Sequence, residues 1–295
     1  MFNVLIIFKL SPMKKVFSFL FLIPLLSIAQ NSSQIIPLWG NGAPGFEELQ
    51  LEEEEAEDYW VKNIHNPTLT AYFPASGKSN GTAVLIFPGG GHRLLVIDAE
   101  GTYAQEHLNK FGITAFVLKY RLAREPDSPY EVGVHAKEDA QRAMRLIRKN
   151  AVKWGLDKEK VGIMGFSAGG EVANWIAYDD GTEVMNAKDE IDDENYKPDF
   201  QILIYPGPLG VPKSVEATAP PTFALAANDD ECCSQPVFDI LKAYRDANAP
   251  IEAHFYSKGG HGFNMGYRSD LKTISHWPAR LEDWLVDSGY GTASK

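Results

Sequence analysis

The sequence predicts an α/β protein with a mostly parallel central sheet that helices cover on both faces. Short apolar runs rich in β-branched residues alternate along the chain with longer segments in which apolar residues recur at helical spacing. Strands that alternate with helices imply βαβ crossovers. The 295 residues, 44% of them hydrophobic, suit one large domain, which we assign to residues 30–295.

Each predicted element follows from its local pattern. Strands are predicted where apolar or β-branched residues run continuously, at Leu69–Phe73, Ala83–Phe87, Thr114–Tyr120, Val161–Gly165, Phe200–Tyr205, Thr222–Ala226 and Ile251–Tyr256. Helices are predicted where apolar side chains repeat every three or four residues, at Tyr103–Phe111, Val134–Trp154, Ala168–Tyr178, Val237–Ala247 and Pro278–Val286. The acidic segment Asp179–Pro198 breaks this rhythm, and it is either a surface insertion near a site or a long loop.

The first residues have the composition of an export signal. Two lysines precede the apolar stretch Val16–Ile28, which ends among small residues of the kind that a signal peptidase recognises. We therefore expect a signal peptide over residues 1–29, cleavage after Ala29, Met13 as the true start and a secreted or periplasmic protein. An uncleaved membrane anchor is the alternative, although the apolar stretch is short for a membrane span.

The charge of the chain restricts its partners. The formal net charge is −11, and it becomes −14 without residues 1–29, which hold three lysines and no acidic residue. Nucleic-acid phosphates need a basic surface, so we expect no nucleic-acid partner, and polyanionic substrates are disfavoured. After signal cleavage no membrane partner is expected either.

Cys232 and Cys233 are the only cysteines of the chain, and they are adjacent. They cannot link distant loops, and they form no C-x-x-C metal or redox motif. We expect two small hydrophobic side chains filling a pocket at a strand end, with a disulfide between the two neighbours as the alternative.

The stretch Lys160–Ala177, KVGIMGFSAGGEVANWIA, contains the motif G-x-S-x-G centred on Ser167. Such a serine sits on a strained turn between a strand and a helix, so the residues two positions away must be small. The helix that begins there directs its N-terminal amides toward developing negative charge. The motif alone is common, but its predicted strand and helix neighbours favour Ser167 as a nucleophile.

A nucleophilic serine needs a histidine base and an acid that orients it. Where the serine lies on such a strand-to-helix turn, the acid precedes the histidine along the chain. His254 falls inside a predicted strand and His276 at a predicted helix start, which are structural positions. His261 lies in a glycine-flanked loop after a predicted strand, where a base belongs. The loop after the preceding predicted strand offers Asp230 as the acid, with Asp229 in reserve.

An oxyanion hole needs two backbone amides near the nucleophile. Ala168 follows Ser167 and supplies one, and the glycine run after the predicted strand Ala83–Phe87 supplies the other through Gly90 and Gly91. A phosphate-binding loop is the competing interpretation, but the run lacks the lysine and the serine or threonine of that motif. We expect no metal and no cofactor.

These motifs make the chain resemble secreted bacterial α/β-hydrolase esterases of the acetyl xylan esterase or "endo-1,4-beta-xylanase B-like" group. The resemblance extends over nearly the whole chain after residue 29. It rests on ten segments, which are LWGNGAPG (Leu38–Gly45), FPGGGH (Phe87–His92), Glu100-Gly101, VLKYRL (Val117–Leu122), DAQRAMRLIR (Asp139–Arg148), GIMGFSAGGEVA (Gly162–Ala173), PDFQILIYPG (Pro198–Gly207), NDDE (Asn228–Glu231), GGHGF (Gly259–Phe263) and W-P-x-R-L-x-x-W-L from Trp277.

The resemblance implies the α/β-hydrolase fold, with Ser167 as nucleophile, His261 as base and Asp230 as acid. The amides near Gly90–Gly91 and at Ala168 would form the oxyanion hole. The chain departs from the group at two places. Glu171 stands where such proteins often have histidine, and Cys232-Cys233 replaces an aliphatic pair.

The resemblance further implies a serine esterase that removes acetyl groups from plant cell-wall polysaccharide. The aromatic residues Trp39, Tyr59 and Trp60 either stack on sugar rings or pack within the fold. A feruloyl or other short-acyl esterase is the alternative, followed by a serine peptidase and by a carbohydrate-binding protein without catalysis. The sequence leaves the acyl group, the sugar position and the oligomeric state open.

Overall fold

The computed structural model describes Met1 and residues 33–179 and 189–292. The chain divides into two units, Met1–Gln30 and Asn31–Lys295, and the elements below belong to the second. The predicted signal peptide falls on residues outside the described ranges, apart from Met1. Across the described residues, no helix combines the length and the apolar character needed to cross a membrane.

An eight-stranded sheet forms the centre of the second unit. The strands of the chain are β1 (Ser33–Pro37), β2 (Glu55–Glu57), β3 (Trp60–Lys62), β4 (Thr68–Tyr72), β5 (Ala83–Phe87), β6 (Thr114–Lys119), β7 (Val161–Phe166), β8 (Gln201–Ile204), β9 (Thr222–Ala227) and β10 (Ile251–Tyr256). The sheet order is β1-β4-β6-β5-β7-β8-β9-β10, and β2 pairs with β3 separately. Pairing is antiparallel between β1, β4 and β6 and parallel from β6 onward.

Helices cover both faces of this sheet. They are α1 (Tyr103–Lys110), α2 (His135–Lys149), α3 (Ala151–Trp154), α4 (Ala168–Ala177), α5 (Ser234–Ala247), α6 (Lys272–Ser275) and α7 (Trp277–Asp287). A 3₁₀ turn at Glu47–Leu49 and a π-helical turn at Asp98–Thr102 complete the regular structure of the described residues. Because the parallel strands run in the same direction, their carboxyl ends all lie at one edge of the sheet. Open α/β sheets bind their ligands at that edge.

Successive residues of the central strands pack into two different cores. In β5, Val84 and Ile86 pack in the core that holds α1 and α7. Leu85 and Phe87 pack in the core that holds α2, α4 and α5. This is why the parallel strands are apolar throughout, and burying each such side chain contributes roughly 1.5–3 kcal/mol.

The observed elements differ from the prediction where packing gives little signal. Strands β1 to β3 were not predicted, because they are short and most of their residues are exposed or half-buried. The predicted helix Val134–Trp154 is two helices. It breaks at Asn150, whose side-chain amide donates to the carbonyl of Leu146 at 2.9 Å and so competes with the helical hydrogen bonds.

The described end of the acidic segment, residues 189–198, lies against α2. Arg142 of α2 pairs with Asp189 at 2.6 Å and with Asp192 at 3.2 Å. Lys158 pairs with Glu194 at 3.0 Å. The acidic side chains in this part of the segment therefore form ion pairs with the basic side chains that face them.

Candidate active site

Ser167 lies on a sharp turn between β7 and α4. Its backbone has φ 51° and ψ −118°, an uncommon conformation for a residue with a side chain. A Cβ at Gly165 would lie 2.4 Å from the carbonyl oxygen of Gly169, and one at Gly169 would lie 2.0 Å from that of Phe87. Neither glycine tolerates a side chain, which is the physical reason for the G-x-S-x-G pattern.

Three side chains from the ends of β7, β9 and β10 form one chain of hydrogen bonds. Ser167 Oγ lies 2.8 Å from His261 Nε2, and His261 Nδ1 lies 2.7 Å from Asp230 Oδ2. Gly260 and Gly262, with φ of 60° and 74°, let the loop bring the imidazole to the serine. The structure thus brings together the three residues that the sequence suggests as nucleophile, base and acid.

The two neighbouring aspartates contact different groups. Asp230 is 2% exposed, and its second oxygen accepts the amides of Cys232 and Cys233 at 3.2 and 3.1 Å. Asp229 accepts the amide of Gly260 at 2.8 Å instead. Asp229 therefore fixes the loop that carries His261, and Asp230 contacts the imidazole itself.

The preferred interpretation of the cysteines was wrong, because Cys232 and Cys233 form a disulfide. The amides of Cys233 and Ser234 both donate to the carbonyl of Asp230, so the pair lies in a tight turn where neighbouring sulfur atoms can bond. One part of the expectation is correct, since Cys233 is fully buried in the core with α7. The disulfide thus lies in the turn that supports Asp230.

The glycine loop after β5 passes directly beside the nucleophile. A Cβ at Gly89 would lie 2.9 Å from Ser167 Cβ, and one at Gly90 would lie 2.0 Å from the carbonyl oxygen of Leu94. The Gly89 amide is occupied, because it donates to a carboxylate at 2.7 Å. Among the described residues, no protein acceptor is found for the amides of Gly90, Gly91 and Ala168. They remain the predicted oxyanion hole.

A buried pair of side chains near this loop was missed by the sequence analysis. His92 and Glu171 are 1% and 3% exposed, and His92 Nε2 lies 2.7 Å from a carboxylate oxygen of Glu171. The other carboxylate oxygen of Glu171 accepts a hydrogen bond from the Leu209 amide at 3.2 Å. The ring of Trp175 stacks on the His92 imidazole, with the ring centroids 5.4 Å apart. The pair joins α4 to the glycine loop, which gives the unusual Glu171 a structural partner.

One cluster of potential metal ligands lies at the site. It consists of Asp230, Cys232, Cys233 and His261, whose candidate atoms lie within 4.8 Å of one another. The two sulfur atoms are joined in the disulfide, and Asp230 and His261 bind each other. This donor set does not suit a metal ion, because a cysteine ligates a metal as a thiolate and a histidine through a free ring nitrogen.

The predicted sugar-stacking residues divide between two environments. Trp39 is 5% exposed, donates to Asp139 at 3.0 Å and lies under Arg142, so it is part of the fold. Trp60 is half-buried beneath the ammonium of Lys62. Tyr59 is 55% exposed and is the most exposed of the three.

Comparison with known proteins finds similarity to esterases over much of the chain. The model of the BD-FAE family matches residues 69–205. The chain is 29% identical over 245 residues to the acetylxylan esterase of Xylanibacter ruminicola, covering 69% of this chain and 47% of that protein. It is 29% identical over 248 residues to endo-1,4-beta-xylanase B of Butyrivibrio fibrisolvens, covering 71% and 38%. The chain thus spans less than half the length of these two relatives.

The similarity to a solved structure covers more of both chains. The acetyl ester-xyloside bifunctional hydrolase from Caldicellulosiruptor lactoaceticus matches with a TM-score of 0.69 and 26% identity, covering 87% of this chain and 97% of that one. The chain is thus similar to esterases that have the α/β-hydrolase fold. The predicted α/β-hydrolase fold and the resemblance to esterases of this group are therefore confirmed, and secretion stays a prediction.

Proposed function

We propose that this α/β-hydrolase cleaves carboxylic esters, and that its substrates are acetyl groups on plant cell-wall polysaccharide such as xylan. The observation that carries the proposal is the hydrogen-bonded chain Ser167–His261–Asp230 at the edge of the sheet. A serine in contact with an imidazole that a buried carboxylate orients is the arrangement needed for acyl transfer.

In the first half-reaction, Ser167 Oγ attacks the ester carbonyl while His261 Nε2 takes its proton. The carbonyl oxygen becomes an oxyanion, which the amides of Gly90, Gly91 and Ala168 bind, each donor contributing about 3 kcal/mol in such sites. The bond from the carbonyl carbon to the alcohol oxygen then breaks, and the alcohol leaves with the proton from His261. The acetyl group remains on Ser167.

In the second half-reaction, water replaces the alcohol. The water oxygen attacks the acetyl carbon while His261 takes a proton from that water. The same amides bind the second oxyanion. The bond to Ser167 Oγ then breaks, His261 returns the proton to Ser167, and acetic acid leaves and loses its proton to the solvent to give acetate. Asp230 keeps the imidazole in the orientation that both steps need.

Two observations support a large, neutral substrate, and the names of the relatives support an acetylated one. The side chain of His261 is 38% exposed, so an ester carried by a polymer can approach the site. The negative net charge of −11 imposes no penalty on a neutral glycan. The names of the relatives, acetylxylan esterase among them, point the same way. Export through the expected signal peptide, giving a secreted or periplasmic enzyme, is part of this proposal.

The test compares ester substrates in the wild-type protein and in Ser167→Ala. We expect hydrolysis of 4-nitrophenyl acetate to exceed that of 4-nitrophenyl butyrate and of methyl ferulate. Acetate should also be released from acetylated xylan. Ser167→Ala should lower kcat by about 10³-fold or more, because the covalent route is lost.

Ser288→Ala is the matched control, since Ser288 lies at the end of α7 outside the site. It should retain the wild-type rate on all the substrates. A preference for methyl ferulate would replace acetate by an aromatic acyl group. Absence of any Ser167-dependent ester hydrolysis would refute the proposed activity.

A further inference from the structure

Glu100 is a buried carboxylate that contacts the glycine loop. It lies in the π-helical turn Asp98–Thr102 and is 4% exposed. One of its oxygens accepts the amide of Gly89 at 2.7 Å. This bond holds the peptide between Pro88 and Gly89, directly before the predicted oxyanion donors Gly90 and Gly91.

The other carboxylate oxygen of Glu100 connects to the loop that carries His261. It accepts the hydroxyl proton of Tyr205 at 2.9 Å, and the Tyr205 oxygen accepts the amide of Asn264 at 2.9 Å. In the side-chain orientation that satisfies both its polar atoms, Asn264 Nδ2 also donates to Glu100 at 3.1 Å and to the Gly262 carbonyl at 2.9 Å. One carboxylate thus holds both loops.

These contacts lie immediately beside the reacting groups. A Cβ at Gly89 would meet the Glu100 carboxylate at 2.7 Å and Ser167 Cβ at 2.9 Å. The ring of Tyr205 lies edge-on to that of His261, with centroids 4.9 Å apart. A shift of Glu100 would therefore move the oxyanion donors and the base relative to the serine.

We propose that Glu100 is a positioning residue that holds the Gly89–Gly91 loop and the His261 loop in register around Ser167, and that its negative charge stabilises protonated His261 during acyl transfer. The inference rests on the proposed ester hydrolysis and names a residue beyond the nucleophile, base and acid. Glu100 touches no reacting atom, and it acts through Gly89, Tyr205 and His261.

Burial raises the pKa of Glu100 above its usual value, and the hydrogen bonds from Gly89 and Tyr205 and the charges of His261 and Arg268 counteract only part of this rise. The hydrogen-bond geometry around the carboxylate nevertheless suits its ionised form. A further titratable group near it is the hydroxyl of Tyr120, which donates to the Pro88 carbonyl at 2.6 Å. Because the groups around the Glu100 carboxylate donate hydrogen bonds, a protonated Glu100 would have no acceptor for its own proton.

The experiment measures kcat, KM and their pH dependence for 4-nitrophenyl acetate in the wild type, Glu100→Gln and Tyr205→Phe. Glu100→Gln keeps the shape but loses the charge, and its amide must face either Gly89 or Tyr205 as a second donor. We expect kcat to fall by about 30-fold or more with KM changed less than about threefold. The acid limb of kcat/KM should move to lower pH, because His261 loses a neighbouring negative charge. Tyr205→Phe should lower kcat but leave that limb in place.

Glu138→Gln is the control, because Glu138 is also a buried glutamate. It lies on α2 and pairs with Arg121 at 3.0 Å. It should change the melting temperature without moving the acid limb. Wild-type kinetics in Glu100→Gln would overturn the proposal, and so would a lower rate with an unmoved acid limb. If the wild type itself hydrolyses no ester, the proposed function fails, and the role of Glu100 fails with it.

Discussion

His92 and Glu171 form a buried pair that joins the glycine loop to the helix of the nucleophile. The two side chains lie 2.7 Å apart, and neither is more than 3% exposed. Removing one partner of a buried polar pair leaves the other without a hydrogen bond, which costs far more than losing an exposed pair.

Glu171→Ala should therefore lower the free energy of unfolding by about 2–4 kcal/mol, because His92 and the Leu209 amide lose their acceptor. Since His92 follows Gly91 directly, kcat for 4-nitrophenyl acetate should fall as well. Chemical denaturation and steady-state kinetics check both effects. Asp246→Ala, which removes an exposed pair with Lys242, is the control and should cost less than about 1 kcal/mol. Equal losses in the two variants would contradict the prediction.

Asp229 and Asp230 should be separable by substitution. Asp230→Asn should lower kcat by about 10³–10⁴-fold, because the amide cannot hold the imidazole in the required tautomer. Asp229→Ala loses only the acceptor for Gly260 and should cost about tenfold. Asp229→Asn keeps an oxygen that can accept the same amide and should stay within about threefold of wild type. Kinetics on 4-nitrophenyl acetate rank the three variants, and a greater loss in Asp229→Asn than in Asp230→Asn would reverse the assignment.

The disulfide should support activity through Asp230. The Cys232→Ser/Cys233→Ser double variant keeps both amides but loses the covalent link in the turn, so we expect kcat/KM to fall about 3- to 10-fold. Dithiothreitol should lower the wild-type rate to the same level and leave the double variant unaffected. Thiol titration confirms reduction in each sample. Full activity of the reduced wild type would show that the turn holds Asp230 without the link.

Stability should fall as the pH decreases, in part because of His107. Burial lowers the pKa of His107 to about 4, and the imidazole donates to the Pro278 carbonyl at 3.3 Å. The unfolded chain, with a pKa near 6.5, binds this proton first, so the contribution is complete above about pH 6.5 and is lost between about pH 6.5 and 4. The loss is up to ~3 kcal/mol.

Urea unfolding at pH 7 and pH 5 measures this dependence. His107→Gln retains a donor for the Pro278 carbonyl and cannot titrate, so its stability should depend less steeply on pH than that of the wild type. His276→Gln, at an exposed position, is the control and should keep the wild-type slope. Identical slopes in the wild type and His107→Gln would exclude a role for His107.

The central fold could be predicted because buried parallel strands are continuously apolar. Ala83–Phe87 and Ile251–Tyr256 have the predicted bounds, whereas β1 has mostly exposed residues and leaves no comparable pattern. Ser167, Asp230 and His261 could be found because their neighbours carry local signals, such as glycines or a strand end. A histidine and a glutamate that meet across 79 residues, as His92 and Glu171 do, carry no such signal.

The same limit applies to Glu100 and to the cysteines. Glu100 stands in a short helical turn, and nothing near it in the sequence indicates contact with Tyr205, which is 105 residues away. For Cys232 and Cys233, composition favours small hydrophobic residues, and only the turn after Asp230 shows that the sulfur atoms meet.

Strand β7 alternates between the two cores as β5 does, with Ile163 in one core and Met164 in the other, and this alternation restricts where residues can be inserted. Inserting a single residue into either strand would rotate every later side chain of that strand to the opposite face. In β5 the change would also carry Gly89 away from Ser167, so stability and turnover would be lost together. Tolerated insertions and deletions should therefore cluster in the connections between strands, where new surface for other substrates can be added without altering the framework.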